Sequence, residues 1–205
     1  LPAYANKDTL RIAAAPDTDT LLIYASGSTD YGSTVTSSKI TRLSLGDNST
    51  TSFDCHELNQ CQPTPGISSM YVGLYGNVDE KLFLPNALTS GVRVLSANSD
   101  TAYATVALPA QKTVRDLALS EDQQKLYVIY YSGFDDTGYA MATINTQNYQ
   151  IENTVTLTGR TTFVNHYAVN GQIIMCSTST GSPTRLDEMR ILRTAADSID
   201  LVLRL

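Results

Sequence analysis

The sequence predicts an all-β fold, laid out as a tandem array of four four-stranded antiparallel sheets. Three observations predict it. Thr, Ser, Val, Ile, Leu and Tyr fill most of the 205 residues in short runs broken by Gly, Asn, Asp and Ser, the usage of strands and tight turns. A unit of two hairpins recurs four times, and repeats of this length are a fold signature in themselves. Apolar and polar residues alternate, most clearly at Ile199, Leu201, Leu203 and Leu205 and at Ile151, Val155 and Leu157, so each strand turns one face inward.

The units span approximately 9–66, 67–111, 112–159 and 160–205 within one domain, 1–205. The first half of each is an alternating strand, a polar turn and a strongly apolar strand. In order these are LRIAAA–PDTDT–LLIYAS, MYVGLY–GNVDE–KLFLPN, VRDLAL–SEDQQ–KLYVIYYS and FVNHYAV–NG–QIIMCSTS. Asn170-Gly171 is the strongest turn signal, because a two-residue type I′ turn needs positive φ at both central positions. The second halves are KITRLSL–GDNST–TSFDCHE, VRVLSA–NSD–TAYATVAL, YAMATIN–TQN–YQIENTVTL and EMRILR–TAAD–SIDLVLRL. For 183–205 a helix competes, since Leu186, Met189, Ile191/Leu192 and Ala195/Ala196 fall at helical spacing. The strand reading keeps the fourth unit in register with the others.

Four-stranded antiparallel units in series form a β-propeller-like array, either a four-bladed ring or part of a larger propeller. One such sheet cannot bury both its faces, and neighbours bury them for each other. The stretch TVRDLALSEDQQKLYVIYY at 113–131, followed by TQNY and ENTVTL, resembles the repeats of the broad seven-bladed YVTN family and its lactonase-like relatives. That resemblance, clearest at 113–157, implies the propeller fold and no particular activity.

Ser-Gly-x-x-Asp-x-Gly occurs twice, at 26–32 and 132–138. Both copies fall between the second and third strands of a unit, where Gly supplies positive φ and Asp or Ser caps the reversal. A metal site built on Asp30, Asp135 and Asp136 is the competing reading, but calcium loops place carboxylates at alternate positions and these do not.

The net charge is −6 and the pI about 4.8, which disfavours nucleic acid as a partner. The apolar runs are too short for a spanning helix, so no membrane insertion is expected. Cys55 and Cys61 bracket DCHELNQCQ. A disulfide closing this loop implies an oxidising, extracellular or cell-surface setting, against two unrelated thiols or a metal site with His56. Cys176, in IIMCSTS, reads as a buried free thiol. Asn48-Ser49-Thr50 is a glycosylation sequon on a turn.

His56 and His166 are the only histidines, and His166 reads as a core residue of the strand at 163–169. No nucleophile elbow or phosphate loop is present, so the sequence assigns no catalytic residue, metal or cofactor. The tyrosines read as packing between sheets. The expectation is therefore a non-catalytic extracellular binding or structural module. It would contact a surface protein or glycan through its loops, with His56, Glu57, Leu58 and Asn59 as the contact element. Two other readings stand beside it: a self-assembling subunit of a filament or ring that binds copies of itself, and a lactonase-like metal-dependent hydrolase.

Overall fold

The computed structural model describes residues 9–14, 20–29, 34–54, 81–86, 91–96, 102–109, 112–132, 137–164, 168–178 and 188–204. Among these, every regular element is a β-strand, and the strands form four antiparallel sheets. The chain divides into two compact units, Leu1–Leu108 and Pro109–Leu205, each holding two sheets. The predicted all-β, propeller-like array is the observed architecture.

In the first unit, sheet 1 runs β1 (Thr9–Ala14), β2 (Thr20–Thr29), β3 (Thr34–Ser44), β4 (Thr50–Asp54) in simple succession. Ile12 pairs with Ile23, Ile23 with Thr41, and Ile40 with Phe53. β2 extends beyond the apolar run that predicted it. Ser26 and Gly27 pair with Ser38 and Ser37, with a register shift after Gly27. The first Ser-Gly pair thus belongs to a strand and not to the turn expected there. The backbone groups of TVTSS need partners wherever β3 continues, and a bulge absorbs the extra residue.

Sheet 2 comprises β5 (Lys81–Asn86), β6 (Gly91–Ser96) and β7 (Ala102–Ala107). The strand expected at MYVGLY, 70–75, lies outside the described residues. Phe83, Val92 and Val94 are fully buried.

In the second unit, sheet 3 holds β8 (Lys112–Leu119), β9 (Lys125–Ser132), β10 (Thr137–Asn145) and β11 (Ile151–Thr156). All six residues from Leu126 to Tyr131 are buried. A continuous apolar run of this kind marks a strand covered on both faces. Tyr131 stacks on Tyr139 with ring centroids 5.3 Å apart, so these tyrosines serve packing as predicted. β11 is exposed along most of its length.

Sheet 4 holds β12 (Arg160–Phe163), β13 (Gln172–Thr178), β14 (Glu188–Arg193) and β15 (Ser198–Arg204). The helix weighed for 183–205 does not form: EMRILR and SIDLVLR pair as antiparallel strands. Helical spacing there lost to cross-strand partners that only the assembled sheet supplies. The described first strand of this unit, Arg160–Phe163, meets the predicted 163–169 only at Phe163, and 165–167 lie outside the described residues. Two bonds hold the chain here to β8: Phe163 N donates to Asp116 Oδ2 at 2.8 Å, and Ala168 N to the Leu119 carbonyl at 2.9 Å. Asn170 and Gly171 have φ of 51° and 69°, as the type I′ reading requires.

The two sheets of this unit are joined through Asp116. It is 2% exposed and stands where β8 shifts register against β9. Its Oδ1 accepts from Leu117 N at 2.9 Å and its Oδ2 from Phe163 N. One carboxylate therefore holds a strand edge of each sheet.

Candidate functional site

At one end of the second unit three turns converge: 120–125 between β8 and β9, 170–171 between β12 and β13, and 194–197 between β14 and β15. They enclose a cleft of about 520 Å³ lined by Ser120, Glu121, Asp122, Lys125, Gly171, Thr194 and Ala195.

The first turn is shaped by its own side chains. Ser120 Oγ donates to Asp122 Oδ1 at 2.6 Å, and Gln124 N donates to the same oxygen at 3.1 Å. Lys125 N donates to Ser120 Oγ at 3.0 Å. These bonds stabilise the charged form of Asp122, and the Ser120 hydroxyl foremost holds its carboxyl below the usual value. Gln123 takes φ of 58° to complete the reversal.

The turns are tied to one another as well. Glu121 Oε2 accepts from Gly171 N at 2.9 Å, and Thr194 N donates to the Gly171 carbonyl at 2.9 Å. Lys125 Nζ meets Asp197 Oδ2 at 2.8 Å, and Tyr127 Oη donates to Asp197 Oδ1 at 2.8 Å. Burial, with the bond to Asp197 next, pushes the Tyr127 hydroxyl far above its ordinary value, so it stays protonated and donating. Asp197 has φ of 49°, a conformation that Asp and Asn tolerate better than most residues.

Polar groups stand on turns around a cleft whose exposed lining is largely apolar. The Ser120 hydroxyl donates to Asp122, whose carboxyl is held below its ordinary value, so Asp122 is a weak base toward that hydroxyl. Lys125 is neutralised by Asp197, while Glu121 and Asp122 leave the rim with an excess of acceptors. Among the described residues no group of three His, Cys, Asp or Glu could hold a metal ion.

Of the sequence-predicted site residues only Asn48 and Cys176 are described, and neither lines this cleft. Cys55, Cys61, His56, Glu57, Leu58 and Asn59 lie outside the described residues, as do His166, Asp30, Asp135 and Asp136. Cys176 is a free thiol, half-buried where full burial was expected. Asn48 is exposed on the β3–β4 turn with φ of 57°. The neighbouring Asp47 accepts from Ser49 N at 2.9 Å, and that bond foremost lowers its carboxyl to about 2. The cleft residues themselves came from SEDQQ, NG and TAAD, which sequence reasoning took as turns alone. The spacing of those turns along successive units was the signal that could have grouped them.

No known protein family matches this sequence, and no curated protein matches it. Solved structures do. The β-propeller domain of the trilobed protease from Pyrococcus furiosus is similar over 96% of this chain and 58% of its own length, with TM-score 0.57 and 8% identity. A prolyl endopeptidase is similar over 95% of this chain and 26% of its own, with TM-score 0.61 and 11% identity. An acylaminoacyl peptidase from Pyrococcus horikoshii is similar over 96% and 32%, with TM-score 0.58 and 8% identity. The chain thus spans well under two thirds of each, and at these identities the likeness establishes the propeller fold. It also corrects the expected function. The three propellers named above belong to peptidases, and a hydrazine synthase and an oligogalacturonate lyase carry others of similar score. That counts against the expected non-catalytic extracellular module.

Proposed function

We propose that this chain is a propeller domain of a hydrolase-related protein of the peptidase kind, one that handles polypeptide substrate beside a hydrolytic domain. The observation that carries the reading is its superposition, over 96% of its length, on the propeller domain of a protease. The cleft of the second unit suits such a role. Its acceptors, Glu121 and Asp122, stand on turns held by a rigid sheet frame, the usual division between scaffold and contact. They would meet backbone N–H groups or a cationic end of a peptide. The whole of 1–205 acts as one domain in this reading, with 113–157 resembling YVTN-type repeats.

The test is activity of the full-length product of the gene. It is assayed against a panel of blocked dipeptidyl and tripeptidyl anilides and labelled with a fluorophosphonate probe. Cleavage of peptide anilides, abolished by the probe, is the expected result. No cleavage across the panel together with no labelling would overturn the reading.

A further inference from the structure

The two sheets of the second unit treat their faces differently. In sheet 3 the second strand, LYVIYY, is buried on both sides. In sheet 4 the equivalent strand, β13, carries a shorter continuous apolar run, Ile173-Ile174-Met175-Cys176, and its burial alternates. Ile173 and Met175 are fully buried while Ile174 is 37% exposed and Cys176 is half-buried. Register places the rest of that open face. Ile174 pairs with Ile191 and Cys176 with Met189 on β14, and with Thr162 on β12. Val164 N donates to the Ile174 carbonyl at 2.8 Å, and Val164 is 56% exposed. Val164, Ile174, Cys176, Met189 and Ile191 thus form an apolar patch that water reaches, on a face that also carries Thr162, Gln172, Arg193 and Asp200. The opposite face, with Phe163, Ile173, Met175 and Leu192, is buried.

A strand that faces water on one side normally alternates apolar and polar residues. Over Ile173–Cys176, β13 has the composition of a strand covered twice and the burial of a strand covered once. We infer that the open face of sheet 4 is a docking surface for a further antiparallel sheet of the same kind, supplied by this protein's own polypeptide outside residues 1–205. The occupant follows from two observations. The face continues the succession in which sheet 4 itself is joined to sheet 3 through Asp116. And the four sheets of this chain span 58% of the propeller domain of the trilobed protease, which leaves room for about three more of similar size, within the usual four to eight. The inference rests on the fold and stands independently of the peptidase reading.

The test uses the full-length gene product and two matched substitutions. Ile174 on the open face and Ile151 on β11 are almost equally exposed, 37% and 39%. If a sheet covers the face, Ile174→Lys buries an unpaired charge and lowers the folding equilibrium constant at least about 10-fold more than Ile151→Lys in denaturant titrations. Equal effects of the two would overturn the inference. Should Ile174→Lys fail to fold, thiol labelling decides in a Cys55→Ser, Cys61→Ser background. Cys176 protected from an uncharged maleimide at least about 100-fold relative to the unfolded protein indicates cover. Labelling within about 10-fold of the unfolded rate overturns it. Protection that vanishes on dilution as the protein turns monomeric by light scattering assigns the face to a second copy, and overturns it too.

Discussion

Asp197 shows how much a single turn residue can hold in this protein. It accepts from Lys125 and from the buried Tyr127 hydroxyl across 72 and 70 residues of sequence. Asp197→Ala leaves that hydroxyl only its longer bond to the Thr194 carbonyl, 3.3 Å, and costs about 1–3 kcal/mol in denaturant titrations. Asp197→Asn keeps an acceptor and a left-handed backbone, and costs under about 1 kcal/mol for the half-exposed ion pair. A second test at this scale concerns Asp122. Its carboxyl is held below the ordinary 3.8, first by Ser120. A depressed folded-state value means the stabilisation is present above the unfolded value and is lost as pH falls through the folded one. Ser120→Ala therefore raises the Asp122 midpoint towards 3.8, moving this loss to higher pH, as read by NMR titration of the side-chain carboxyl.

At the scale of elements, close approaches decide what the strands tolerate. A Cβ on Gly91, the first residue of β6, would lie 2.3 Å from the Val106 carbonyl oxygen of β7. Backbone cannot yield as a side-chain end can. Gly91→Ala therefore costs about 3 kcal/mol and accelerates amide exchange in β6 and β7 ahead of β8–β10. Asp116 is the corresponding joint between sheets 3 and 4. Asp116→Ala removes the acceptor of the buried Phe163 amide and destabilises by about 1–3 kcal/mol. The same substitution is expected to release β12 first, seen as early exchange at 160–163. These elements also show what the sequence made legible. KLYVIYYS and EMRILR became β9 and β14 at the predicted residues, because period and apolar composition are local properties. The start of β12 at Arg160 was not legible, because Asp116, which holds Phe163, lies 47 residues away in sequence and its pull cannot be read locally.

For the whole molecule, a net charge of −6 predicts no retention on immobilised DNA at physiological salt. Retention there would mean a local basic face that the summed charge conceals. The sequence by itself determined the sheet succession, the turn chemistry at Asn170-Gly171 and the antiparallel pairing within each unit. All three follow from side-chain period and backbone sterics over a few residues. Only the tertiary structure decided the rest. It brought SEDQQ, NG and TAAD around one cleft and turned the Ser120 hydroxyl onto Asp122. It also left an apolar patch of sheet 4 wet. Each of these depends on contacts between residues tens of positions apart, whose loop-closure entropy and packing are settled only when the sheets assemble.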